Sequence, residues 1–156
     1  MVTVVEESMS EVRILLNTDK LAIVQFARAQ LALRVQDPME REMQSWTAPW
    51  REESLDHYLP QGWCYGTFDA NGGMTGFLLA QPVLFYRGHT QTLWIEHINA
   101  FDGALVEQLL DTVYRWARDK HFQCVVLEPH NDWSDWLELR RPQKTPALIE
   151  LRTVRS

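Results

Sequence analysis

Between His97 and Lys120 the chain reads "HINAFDGALVEQLLDTVYRWARDK": the end of a strand, a short turn with one glycine, and a long amphipathic helix. That layout can hold a phosphate. The first N–H groups of a helix have no partner within it, and the helix dipole favours an anion beside them. Here the turn offers a single glycine, Gly103, no arginine, and Asp102 where an anion would sit. Asp102 can cap the helix itself by turning its carboxylate onto the free amides. It would then compete with a phosphate for those donors and repel it. Asp102 is therefore expected to cap the helix and to suppress phosphate binding; the rival arrangement is a shift of one residue at the turn that lets Gly103 form the cradle.

Little else in the sequence carries chemistry. G-x-S-x-G, H-E-x-x-H and paired Cys/His metal spacings are absent. Cys64 and Cys124 each fall in a predicted strand and read as core residues. The 156 residues, 46% hydrophobic and 23% charged, suit one soluble domain over 1–156. Most of the seven Trp should then be core. A formal net charge of −6 argues against nucleic acid or an anionic membrane as partner, since both demand a basic face. No stretch approaches the ~18 continuous apolar residues of a membrane span. "MVTVVEESMSEVR" is acidic, without the basic start and apolar run of a signal peptide, so a cytoplasmic location is expected.

The elements that must position the turn follow from periodicity. "VRILL" (Val12 to Leu16) predicts a short buried strand. Thr18 or Asp19 can cap a helix carrying Leu21, Val24, Ala27, Leu31 and Val35 at helical spacing. Asp37-Pro38-Met39-Glu40 starts a second helix, and "REESLDHYL" allows one or two further helical turns. "WCYGTF", "MTGFLLAQPVLFY" and "QTLWIEHIN" predict an antiparallel meander, turned at "DANGG" and "RGHT", with Pro82 at a bulge or edge position. In the helix after Gly103, Leu105, Leu109, Val113 and Trp116 form one stripe with Val106, Leu110 and Ala117 beside it; Leu109 and Trp116 are expected in the core. "CVVLE" (Cys124 to Glu128) predicts a strand covered on both faces, "NDWSDWLEL" a short helix and "PALIELRTV" a last strand. The order β-α-α-β-β-β-α-β-α-β gives an α+β domain, a mixed, mainly antiparallel sheet flanked by helices.

That order, together with "LLDTVYRWARDKHFQCVVLE" (Leu109 to Glu128) and the "PHND" after it, resembles the GCN5-related N-acetyltransferase (GNAT) family. The topology covers nearly the whole chain and the sequence pattern about its last third. The resemblance implies acetyl-CoA in a V between the fourth and fifth strands, parted by a bulge in the fourth. It implies a pyrophosphate on the helix start through the motif Q/R-x-x-G-x-G/A. On this chain the motif falls on Phe101 to Val106: Phe101 replaces Q/R, Ala104 the first glycine and Val106 the second small residue, with Gly103 one position early. Ile98, Asn99, Gly103, Ala104 and Asn131 are the positions it assigns to the cofactor. Asn131 can equally cap "DWSDWL", and Glu128 can cap or pair locally. Trp136 stands nearest to the tyrosine that often protonates the leaving thiolate, and it has no titratable hydroxyl.

The implied activity is transfer of an acetyl or acyl group to an amine, on a small molecule or a protein. It needs a base, and Glu96 on "LWIEHIN" is the first candidate. The plainer reading of Glu96 is a solvent-facing strand residue. His97 points to the opposite face by alternation and reads as a hydrogen-bonded ring without a catalytic role. His130, His57 and Tyr58 can line an acceptor cleft. The alternative is a catalytically silent GNAT-like domain that binds a partner, a homodimer included, favoured by the altered motif and the missing tyrosine.

Overall fold

Glycine-bearing turns fold the middle of the chain back on itself twice. At the first, the Asp69 carboxylate accepts from the N–H groups of Asn71 and Gly73, both at 2.9 Å, and Gly72 takes φ +81°, a conformation that favours glycine. At the second, Arg87 and Gly88 both have positive φ, as a two-residue hairpin turn requires. A computed structural model describes residues 11–145 and 148–153. In it β2 (Tyr65–Phe68), β3 (Met74–Tyr86) and β4 (His89–Ala100) form the antiparallel meander. β1 (Glu11–Ile14) adds to β2, and β5 (Cys124–Val126) lies parallel to β4, giving the order β1-β2-β3-β4-β5. Pro82 pairs with Leu93 where β3 has run past the reach of β2, so its missing N–H leaves no ladder bond unmade.

Alternation along β3 sends Phe77 and Leu79 to one face and Leu78 and Ala80 to the other. α1 (Lys20–Arg34) and α3 (Glu52–Tyr58) cover the first face, burying Ile23, Phe26, Ala27, Leu55 and Tyr58 around Phe77. Between them α2 (Pro38–Ser45) starts as its sequence implies: Asp37 accepts from Met39 N–H and Pro38 takes the first position. α4 (Gly103–Asp119) and α5 (Ser134–Glu138) cover the other face. α4 is the crossover between the parallel strands β4 and β5.

Several expectations are corrected. β1 is a mostly exposed edge strand, and the buried residue is Leu15, just beyond it. Asp19 stands at the N-cap position of α1, but its side chain makes no cap bond: the carboxylate is held by Arg13 at 3.0 Å and by Leu16 N–H at 2.8 Å, and Thr18 lies in a 3-10 turn. Trp116 is 47% exposed whereas Leu109 is 0%. The buried stripe runs through Val106, Leu109, Leu110, Val113 and Ala117. At about 100° per residue Trp116 lies roughly 80° off its axis, where one edge of the ring meets water. β5 ends at Val126, short of Glu128, and is half-buried, because β4 turns away beyond Trp94. The last strand does not form over Leu148–Thr153, and Leu148, Ile149 and Leu151 are exposed. A strand is held by its ladder, and no described strand pairs with this segment. Pro146, Ala147 and Val154 lie outside the described residues.

Leu109→Ala should therefore lower the unfolding free energy by about 2–5 kcal/mol, the range for an emptied core site. Trp116→Ala should lower it by about 1 kcal/mol or less, as for a surface change that loses some packing. Urea melts of the two variants check the ranking, and a Trp116 loss as large as that of Leu109 would contradict it.

Candidate active site

Leu79 pairs with His97, but its neighbour Ala80 pairs with Ile95. Glu96 is left over. It is the extra residue of a β-bulge, which bends the strand and raises its twist. The bulge also resets alternation. Leu93 and Ile95 face α4 before it, and Ile98 faces α4 after it. Glu96 and His97 consequently both turn toward the α1/α3 face. Glu96 accepts from Trp94 Nε1 and lies beside Tyr58 of α3, and the His97 ring is 5.5 Å from that of Phe77. The expectation that these two point to opposite faces is overturned, because simple alternation fails across a bulge.

β5 follows β4 for three pairs, Thr92–Cys124, Leu93–Val125 and Trp94–Val126. From there the strands part. A cleft of about 540 Å³ opens between Ile95–Gly103 on one side and Leu127–His130 with Asp132 and Trp133 on the other; Gln30 and Arg34 of α1 also line it. The parting leaves the β4 backbone without its β5 partner along the cleft. Of the sequence-assigned residues, Glu96, Ile98, Asn99 and Gly103 line this cleft. Asn131 opens the 3-10 turn Asn131–Trp133 beyond β5, and Ala104 is the second residue of α4.

At the start of α4, Asp102 Oδ1 accepts from Leu105 N–H at 2.9 Å, and the Asp102 carbonyl accepts from Val106 N–H at 3.2 Å. Asp102 is thus the cap. It takes one donor, and the N–H groups of Gly103 and Ala104 keep no acceptor among the described residues. A Cβ added at Gly103 would meet no atom within 4 Å, so the space beside its Cα is open, and Gly103 itself lines the cleft. Phe101 lies against Phe26 of α1, ring centroids 5.1 Å apart.

Beyond β5, the Glu128 carbonyl accepts from Trp133 Nε1 at 3.1 Å, and His130 Nδ1 accepts from Asp132 N–H at 3.1 Å. Trp136 is buried; its Nε1 donates to Asp111 at 2.7 Å and the Arg140 guanidinium lies 3.9 Å above its ring. It is a packing residue and brings no proton donor to the cleft. Among the described residues no three His, Cys, Asp or Glu gather as for a metal ion.

Burial, aided by the positive charge of Arg34 and opposed by Glu96, pulls the His97 imidazole down to about 4. The ring is neutral at pH 7, and its Nε2 is buried without a partner among the described residues, not hydrogen-bonded as expected. Burial and the Glu96 carboxylate push the Tyr58 hydroxyl up to about 12, so it stays protonated. Burial raises the Cys64 thiol to about 11, as befits a core residue; Cys124 is half-buried. His57, grouped with Tyr58 in the sequence, has Nε2 2.7 Å from Gln81 Oε1, and His130 lines the cleft. The nearness of Tyr58 to Glu96 and the place of Arg34 escaped the sequence reading, because each depends on how a helix docks on the sheet.

Protein-family models and curated proteins give no match to the sequence. Solved structures do. A GCN5-related N-acetyltransferase from Ralstonia eutropha JMP134 superimposes with a TM-score of 0.67 at 12% identity, over 93% of this chain and 99% of that one. The fold is that of the GNAT acetyltransferases. An aminoglycoside acetyltransferase from an uncultured soil metagenomic sample, in complex with sisomicin, gives 0.59 at 15% identity over 94% and 97%. An agmatine N-acetyltransferase gives 0.60 at 15% over 85% and 81%. The α+β architecture drawn from the sequence is thereby established: a mostly antiparallel sheet between helices, with the bulge and the parted strands that the GNAT resemblance implied.

His97 makes a pH test. Between pH 6.5 and about 4 the unfolded chain binds a proton at this ring that the folded protein refuses. Stability therefore falls as pH falls through that window, by roughly 1.4 kcal/mol per unit, and the ring adds no slope above it. In urea melts at pH 7 and pH 4.5, His97→Phe should lose about 2 kcal/mol less than the wild type. Equal losses would show that the ring is not held neutral.

Proposed function

We propose that this chain is an acyl-CoA-dependent N-acyltransferase that transfers an acetyl or other acyl group to an amine. The observation that carries the reading is the position of Glu96: a carboxylate pushed out by the β4 bulge onto the cleft that the parting of β4 and β5 opens. Acetyl-CoA, when bound, would supply the acyl group as an activated thioester. Every other part belongs to the chain. Ile98, whose backbone turns away from the β3 ladder, offers an N–H on the side freed from β5, a donor of the kind that stabilises a developing oxyanion, with Asn99 next to it. Glu96 accepts the proton of the attacking amine. The protonated Tyr58 beside it and the Trp94 N–H fix its orientation. The open amides of Gly103 and Ala104 are the places for the phosphates, and Asn131, which opens the 3-10 turn beyond β5, is the residue for the thioester arm.

The acceptor we infer is a cationic amine. Among the described residues Glu96, Asp102, Glu128 and Asp132 line the cleft against the single Lys or Arg there, Arg34. Such a surface attracts a protonated polyamine and concentrates it near the base. Agmatine and aminoglycoside acetyltransferases among the structural neighbours are consistent with that class. A cytoplasmic setting, expected from the sequence, goes with this reading; among the described residues no helix is long and apolar enough to cross a membrane. One observation favours the second reading, a silent binding module: Asp102 already occupies a donor that a pyrophosphate would use and sets a negative charge beside the other two.

Glu96→Gln should lower kcat/KM about 100-fold or more at neutral pH, the usual share of a general base. Thiol release from acetyl-CoA in the presence of diamines and polyamines measures it, and an unchanged rate would remove Glu96 from the mechanism. Asp102→Gly should lower stability by up to about 1 kcal/mol as a cap is lost, while raising affinity for acetyl-CoA. Paired melting and calorimetric titration check both. If acetyl-CoA gives the wild type neither heat nor thermal shift, the silent module is the better description.

A further inference from the structure

Phe101 is more than a lost cation. Its ring rests on Phe26, and Phe26, Gln30 and Arg34 follow one another at i, i+4 and i+8 along α1. Residues at that spacing share one helix face. The contact therefore lays a polar stripe of α1 along the cleft, with Gln30 one turn and Arg34 two turns past the aromatic anchor, and both residues line it. Arg34 is the only Lys or Arg on the cleft wall among the described residues, and it forms no ion pair with any of them. The carboxylates of the cleft leave it free. Its side chain is exposed and presents a fork of donors that matches two phosphate oxygens. His97, whose Nε2 is buried and unpartnered, lines the same cleft.

We propose that Arg34, with Gln30 beside it, is the anion-binding pair of the cleft and takes a phosphate or pyrophosphate group of the acyl carrier, the role that the start of α4 fills only in part. This rests on the reading of the cleft as a site for an acyl-CoA thioester.

Arg34→Gln tests it, at an exposed position where folding should persist. Calorimetric titration with acetyl-CoA should show affinity reduced about tenfold or more, as for a lost charge-assisted hydrogen-bond pair. S-acetylpantetheine, which has no pyrophosphate, should bind wild type and variant alike. Equal acetyl-CoA affinity in both proteins overturns the pair and leaves the transferase reading standing. If the wild type does not bind acetyl-CoA, that reading fails, and inorganic pyrophosphate then decides the pair. Binding of pyrophosphate by the wild type but not by the variant upholds it; no binding by the wild type at about 10 mM, where a millimolar site would be filled, overturns it.

Discussion

β4 has one residue more than β3 can pair. Placing Glu96 outside the ladder keeps the hydrophobic register intact on both sides of it: Leu93 and Ile95 stay under α4, and so does Ile98. Without the extra residue every side chain beyond it would change face. The bend it introduces also directs the strand away from β5 after Trp94. One local mismatch thus exposes a carboxylate, turns His97 against Phe77 with its Nε2 buried, and opens the space between two parallel strands. The rest of the site is built around that bend.

The start of α4 shows a competition for a small pool of donors. A helix leaves its first amides unpaired, and they must be met by side chain, water or ligand. Asp102 meets one and leaves two. The helix gains a cap and keeps part of its capacity for an anion. The α1 wall, drawn in by the contact of Phe26 with Phe101, brings the cleft its only cation among the described residues.

Elements set by local pattern were legible in the sequence. α4 followed from its 3.6-residue period, the meander from its glycine turns and alternation, and the cap of α2 from Asp37-Pro38. The Asp102 cap followed from an aspartate placed just before the helix, as expected over a shifted cradle at Gly103. Features set by pairing were less legible. In "LWIEHIN" the two-residue spacing of Leu93 and Ile95 breaks before Ile98, with Glu96 and His97 adjacent between them; that break marks the bulge, and simple alternation passed over it, so the shared side of Glu96 and His97 was missed. Tyr58 and Arg34 reach the site through the docking of α3 and α1, which periodicity does not reveal. Two errors had a common cause: "PALIELRTV" alternates like a strand and Trp116 lies near an apolar stripe, but propensity counts only where a partner surface receives it.

The β3–β4 hairpin outruns its neighbours. β2 reaches only as far as Leu78, β5 meets only Thr92 to Trp94, and Leu84 and Phe85 at the far end are 61% and 79% exposed. The tip is a two-stranded ribbon with no core beneath it. Opening it breaks a few ladder bonds and uncovers little apolar surface, so it constitutes a separate unit with an opening free energy well below that of the domain. The bulge lies toward the other end of the same hairpin, clamped between both helical layers. Amide exchange at the tip is thereby uncoupled from exchange at the cleft, and the longest element of the sheet joins a frayed end to a rigid one.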